Sequence, residues 1–277
     1  MIKMLIDTFT QNNRKVYVYG KKSVLTNRQV PMILDLNCTT GNPKAEVLTN
    51  GWDEVTEKEN IIVIAPEYDD YATYSECPFL RDLIAVCVQK YPIDESRIYS
   101  VGFSNGGASS VALASTYPNL LAGIAAMGWA IGMMRSKTQI PFLLIQGSKE
   151  YVDQNLPAVM DDEKETLRDI FLADNLITNE MRTDYKKWPY WGYPSSSQEV
   201  KELTYHDYDP YGNMKQKVTN NLTFSYYQKN GYRHPFVQTV LIPNAHHIPH
   251  DCNAEIAWDF LKHFARDKQG QIVEINN

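Results

Sequence analysis

Short apolar runs, separated by stretches of helical periodicity, constrain this chain more than any other feature. "VPMILDL" (Val30–Leu36) and "IIVIAPE" (Ile61–Glu67) do not alternate apolar with polar residues. "RIYSVGF", "LAGIAAMGW", "IPFLLIQG" (Ile140–Gly147) and "PFVQTVLIP" (Pro235–Pro243) share that character. Runs of this kind suit strands buried on both faces of a parallel sheet. Between them, "FLRDLIAVCVQKYP" (Phe79–Pro92) sets Leu80, Leu83, Ile84, Val86, Cys87 and Val88 at helical spacing, and Pro92 ends it. "NGGASSVALASTYP" reads as a second helix. "NAEIAWDFLKHFARD" reads as a third, with Ile256, Ala257, Phe260, Leu261 and Phe264 on one face. Asn42 to Glu59 carries a helical or irregular crossover, and "KVYVYG" (Lys15–Gly20) forms a hairpin with the residues before it. Strands alternating with helices predict an α/β fold with a mainly parallel sheet and helices on both faces. The 277 residues suffice for one such domain.

The stretch 151–234 breaks this rhythm. It holds one amphipathic helix candidate, "DDEKETLRDIFLADNLI", with Asp161 or Asp162 as N-cap, and then "YKKWPYWGYPSSS". A long irregular insertion in a compact domain suits a lid or substrate-binding element. Trp188, Tyr190, Trp191 and Tyr193 would offer it aromatic faces for apolar or ring-shaped groups.

A net charge of −6 argues against nucleic acid, because phosphate binding needs clustered Lys and Arg. Cys38, Cys77, Cys87 and Cys252 form no C-x-x-C pair, which argues against a structural zinc site. Cys87 falls in a helix core, and Cys38 and Cys252, each near a motif described below, are the pair that could bridge. The N-terminus lacks a sustained apolar region and a small-residue cleavage pattern, and no run is long and apolar enough to span a membrane. The expectation is a cytoplasmic protein, although a mature form with its signal removed would read the same.

Between strand and helix lies Gly102-Phe103-Ser104-Asn105-Gly106. An attacking serine needs an exposed hydroxyl on a sharp turn, a base for its proton and N–H donors for the oxyanion. Glycines on either side of Ser104 let strand and helix pass closely, and the N–H of Asn105 lies where a helix N-terminus favours negative charge. An acid and then a histidine should follow, each after a later strand. Glu150 and Asp153 follow "IPFLLIQG", and His246 and His247 follow "VQTVLIP".

The run "DESRIYSVGFSNGGASSVALASTYPNLLAGIAAMG" (Asp94–Gly128) resembles the α/β-hydrolase superfamily, and within it the polyhydroxybutyrate-depolymerase-like and feruloyl-esterase-like group. That group shows Asp-x-x-Arg-Ile-Tyr before the turn and Ser-Asn-Gly-Gly at it. The likeness covers Val30 to Glu150 and Val237 to Phe264. It implies an α/β-hydrolase fold and makes Ser104 the nucleophile. Gln146-Gly147-Ser148-Lys149-Glu150 stands where the group has His-Gly-x-x-Asp, so Glu150 takes the acid slot, with Asp153 as the alternative. His246-His247-Ile248-Pro249 fits with His246 as base and Ile248 in place of an aromatic; His247 and then His250 are the other choices. Where the group ends a strand in His-Gly, this chain has Leu36-Asn37-Cys38-Thr39-Thr40-Gly41. The second oxyanion donor is then the N–H of Cys38 or Thr39, beside that of Asn105. Asn37 is either a further donor or a structural hydrogen bonder.

The resemblance implies a serine ester hydrolase that needs no metal or cofactor. Trp188 and Trp191 would help bind a phenolic, acyl-sugar or hydroxyalkanoate ester, either small or linked to an oligosaccharide. A peptidase or acyltransferase with the same triad, and a non-catalytic binding protein on this scaffold, are the competing readings. The oligomeric state is not legible.

Overall fold

A computed structural model describes residues 4–26, 29–129, 139–150, 167–178 and 197–275. The apolar runs fall where the pattern places them. They form β3 (Val30–Leu36), β4 (Ile62–Pro66), β5 (Ile93–Phe103), β6 (Gly123–Met127), β7 (Phe142–Gly147) and β10 (Val237–Ile242). Nearly every residue in them is buried, as strands covered on both faces require. Successive neighbours in the order β4-β3-β5-β6-β7-β10 pair in parallel. The hairpin of β1 (Leu5–Gln11) and β2 (Arg14–Tyr19) adds antiparallel to β4.

Helices cover both faces. α3 (Cys77–Lys90), α4 (Asn105–Thr116) and α5 (Leu167–Asp174) bury Leu80, Val111 and Phe171 in one core. α1 (Pro43–Thr49), α2 (Trp52–Lys58) and α6 (Cys252–Leu261) bury Val47, Trp52 and Ile256 in the other. After α6, β11 (Phe264–Arg266) and β12 (Ile272–Glu274) form a small antiparallel pair that the helical pattern through Asp267 did not foretell. The chain has the α/β-hydrolase fold that the resemblance implied.

Within 151–234 the structure describes one helix, inside the helix candidate of the sequence, and two strands that its pattern did not announce. These are α5 and a long hairpin, β8 (Ser197–Tyr208) and β9 (Met214–Tyr227). The hairpin continues the sheet: β9 pairs antiparallel with β10 and β8 with β9, giving a ten-stranded order that ends β10-β9-β8. The turn signal is there in Asp209-Pro210-Tyr211-Gly212-Asn213, where Asp209 Oδ1 accepts from the N–H groups of Tyr211 and Asn213 at 3.0 and 2.9 Å. Most of β8 is exposed, so no apolar stripe announces it. Asp161, Asp162 and the aromatic group Trp188, Tyr190, Trp191 and Tyr193 lie outside the described residues. All four cysteines are buried free thiols, so Cys38 and Cys252 form no bridge. Among the described residues no helix is long and apolar enough to cross a membrane.

Candidate active site

The turn between β5 and α4 holds Ser104 at φ 54° and ψ −122°. A non-glycine residue at positive φ is costly and persists only where its surroundings impose it. Here they do. Ser104 N–H donates to Met127 O at 2.7 Å, while its own carbonyl accepts from the N–H of Gly107 at 2.9 Å. A Cβ on Gly102 would lie 2.4 Å from the Gly106 carbonyl carbon, so strand and helix cross in contact only because both residues are glycine. Ser104 is left half-buried at the C-terminal edge of the sheet.

Ser104 Oγ and His247 Nε2 are 2.8 Å apart. On the other side of the ring, His247 Nδ1 lies 3.2 Å from Glu150 Oε2. Glu150 is only 2% exposed, and its carboxylate is anchored by two further donors. Gln146 Nε2 donates to Oε2 at 2.7 Å and Gly147 N–H to Oε1 at 2.6 Å. The Phe103 ring packs against the imidazole, centroids 4.8 Å apart. Gly128, at φ 65°, leaves room for both, since a Cβ there would lie 2.6 Å from Phe103 and 3.2 Å from Glu150 Oε2.

The structure therefore brings Ser104 and Glu150 together as expected, but with His247 rather than His246 between them. His246 is exposed on the far side, where its charge bears on Asp207. The reason is local. After β10 the chain turns at Asn244, φ 60°, and is clipped by Lys149 N–H donating to Ala245 O at 2.8 Å. His246 is exposed while the next residue, His247, is half-buried against Phe103, so one residue of offset exchanges ring for solvent. His250 serves elsewhere. Its Nδ1 is 2.5 Å from Asp207 Oδ1, on a bridge that fastens β8 to the segment after His247. The hairpin tip thereby reaches α1, where a Cβ on Gly212 would lie 3.3 Å from Ala45 Cβ. Asp153, the alternative acid, and Trp188 and Trp191 lie outside the described residues.

N–H groups at Asn105 and in the Cys38–Thr39 loop stand available as anion donors. Asn105 is the first residue of α4, and neither its N–H nor that of Thr39 closes a hydrogen bond among the described residues. The loop bearing Thr39 is strapped down: Tyr68 hydroxyl donates to Asn37 O at 2.8 Å and Thr40 N–H to Asp70 Oδ2 at 2.8 Å. Asn37 spends its amide on Cys38 O at 2.9 Å and on Asp70, which makes it a structural bonder. The Cys38 N–H likewise closes no hydrogen bond among the described residues, so the same loop offers it beside Thr39. Among the described residues no cluster of His, Cys, Asp and Glu could hold a metal ion.

No family model matches the sequence. A bifunctional acetylxylan esterase/xylanase of Neocallimastix patriciarum is 22% identical over 148 residues, 50% of this chain and 22% of that protein. A probable acetylxylan esterase A of Aspergillus flavus is 25% identical over 145 residues, 47% of each. The chain thus spans less than half the length of these curated relatives. A solved acetyl xylan esterase from Aspergillus awamori superposes with a TM-score of 0.58 at 13% identity, covering 92% of this chain and 98% of that one. At that identity it is the α/β-hydrolase fold that the two share.

Proposed function

We propose that this chain is a serine carboxylic-ester hydrolase that works through an acyl-enzyme on Ser104. The observation that carries this reading is the continuous hydrogen-bond path Ser104 Oγ–His247–Glu150 at the C-terminal edge of the sheet. His247 Nε2 takes the hydroxyl proton as Ser104 Oγ attacks the ester carbonyl. The N–H group of Asn105 and that of Cys38 or Thr39 receive the oxyanion. His247 then passes the proton to the departing alkoxide, and the acyl group stays on Ser104. A water molecule attacks that acyl group with His247 again as base, releasing the acid and restoring Ser104. Glu150 keeps the ring in the tautomer with Nδ1–H and stabilises its charged form. Gln146 and Gly147 in turn hold Glu150.

For the substrate, the reading narrows to an acyl-sugar ester with a small acyl group, in keeping with the acetylxylan esterases that the sequence resembles. The test is a panel of p-nitrophenyl acetate and butyrate, methyl ferulate and acetylated xylo-oligosaccharides, run against wild type and Ser104→Ala. Turnover of acetyl esters that vanishes with Ser104 is the expected result. Activity that survives Ser104→Ala would overturn the mechanism. Preference for the ferulate would overturn the substrate assignment alone.

A further inference from the structure

His247 stands on a short arch of chain whose two feet rest on different parts of the molecule. The upstream foot rests on the residues that follow β7. Lys149 N–H donates to Ala245 O at 2.8 Å, and Asn244 N–H to Ser148 Oγ at 2.7 Å. The downstream foot, Pro249 to Asp251, rests on α6 and on β8 of the hairpin. Asn253 N–H donates to His250 O at 3.0 Å. Tyr208 N–H donates to Pro249 O at 3.2 Å, and Asp251 N–H to His206 O at 3.3 Å. Between the feet lie His246 to Ile248, closed in a tight turn by Ile248 N–H donating to His246 O at 2.9 Å.

Two histidine–aspartate pairs join the hairpin to that foot, and each takes one member from either side. His250 Nδ1 lies 2.5 Å from Asp207 Oδ1, and His206 Nδ1 lies 2.8 Å from Asp251 Oδ2. The pairs differ in burial. His250 is 2% exposed and Asp207 4%, whereas His206 is half-buried. Burial raises the pKa of Asp207, but the His250 ring and the Gln216 amide outweigh it and hold the carboxyl below its usual value. The ionised carboxylate only accepts, so His250 Nδ1 bears the proton. The other oxygen, Asp207 Oδ2, accepts from Gln216 Nε2 on β9 at 2.8 Å. The carboxylate is thus held within the hairpin and holds His250 in turn. A buried pair of this kind adds little stability over well-packed apolar residues of the same size.

We propose that Asp207 is a positioning residue: through His250 it pins the downstream foot of the arch and so sets the His247 ring between Ser104 and Glu150. This rests on the ester-hydrolase reading and deepens it, since it makes the β8–β9 hairpin part of the catalytic apparatus. His250 follows His247 by three residues, and Pro249 between them has a fixed φ, so a shift of the His250 ring is passed to the arch. A displacement of about 1 Å at a reacting group can cost about a hundredfold in rate. The second pair lies nearer solvent and contributes less. Without the His206 ring, Asp251 Oδ1 still accepts from His206 N–H, which it meets at 2.7 Å.

The test compares wild type with Asp207→Ala, Asp207→Asn, His206→Ala and the paired change Asp207→Leu with His250→Phe, on p-nitrophenyl acetate. Active sites are titrated to completion with a fluorophosphonate, and Ser104→Ala is the blank. The paired change puts apolar side chains in place of the buried pair and should leave Tm unchanged or higher. Its kcat should nonetheless fall about ten- to a hundredfold, with KM within about threefold. Asp207→Ala should lose as much. Asp207→Asn can still accept from His250 Nδ1–H, and should recover all but about threefold of the wild-type kcat. His206→Ala should stay within about twofold. Wild-type kcat in the paired variant would overturn the proposal. So would an Asp207→Asn as slow as Asp207→Ala, or an equal loss in His206→Ala. If the paired variant does not fold, kcat per titrated site in Asp207→Ala decides in its place, with a wild-type value counting against the proposal. A wild type with no esterase activity would instead remove the ester-hydrolase reading itself.

Discussion

Gly106 passes so close to Leu36 that a Cβ on it would sit 1.9 Å from the Leu36 carbonyl oxygen. That approach seats the first turn of α4 against the end of β3, and so aligns Asn105 N–H with the loop that carries Thr39. Backbone lies on both sides of the contact, and neither can rotate away as a side chain would. Gly106→Ala should therefore destabilise the fold by at least the ~1–3 kcal/mol typical of overpacking. The folded remainder should have impaired turnover. Thermal unfolding and active-site-titrated kcat measure the two effects separately; an unchanged Tm with full kcat would contradict the close contact.

The neighbouring histidines should behave as opposites. His247→Ala removes the group between Ser104 and Glu150, and kcat for a chromogenic ester should fall by at least about 10⁴-fold. His246→Ala removes an exposed side chain outside that path and should leave kcat within about twofold, as expected for a residue away from the reacting atoms. Equal losses in the two variants would count against the assignment.

Glu150→Gln tests the orienting role. With Gln146 Nε2 and Gly147 N–H both aimed at position 150, the amide cannot satisfy its neighbours and also accept from His247 Nδ1. The ring then favours the wrong tautomer, and kcat should drop by about 10⁴-fold. Near-normal turnover in this variant would shift the acid role to another residue.

Two sets of carboxyls should shape stability against pH in opposite directions. Burial raises the pKa of Glu274, but the N–H groups of Arg233 and His234 and the His234 ring outweigh it and bring the carboxyl down to about 2. A depressed carboxyl stabilises the fold above its ordinary value of 4.5, and that contribution disappears as pH falls toward 2. Glu274→Gln should flatten the fall in Tm across that acid window, and a parallel fall in both proteins would refute the linkage.

Asp35 works the other way. Burial, and then the nearby Glu46, push its pKa up. The folded state therefore binds a proton that the unfolded chain has released, and stability falls as pH rises above the ordinary Asp value of 3.8. Asp35→Asn should raise stability by roughly 1–3 kcal/mol near pH 8, the scale of relieving a buried unsatisfied group. The gain should shrink toward pH 4. Denaturant unfolding at the two pH values decides; a gain independent of pH would mean that the group does not titrate there.

Sequence by itself determined the sheet and the glycine-flanked turn at Ser104. Apolar runs such as Val30–Leu36 and Ile140–Gly147 can be buried on both faces only in a helix-covered parallel sheet, and Gly102 and Gly106 can flank Ser104 only where two backbones touch. These are local demands, so they are written in local residues. The β8–β9 hairpin was less legible because its strands are largely exposed and carry no apolar stripe, although Asp209–Asn213 marks their turn. Tertiary structure alone decided between His246 and His247, because the direction of a side chain after Ile242 depends on how Asn244 turns and on Lys149, nearly a hundred residues earlier, clipping Ala245. It alone also strapped down the loop that carries Thr39, through the Tyr68 hydroxyl on Asn37 O and Asp70 on the Thr40 N–H. How such a loop lies depends on what is packed against it, and Asn37, Tyr68 and Asp70 meet there only once the chain has folded.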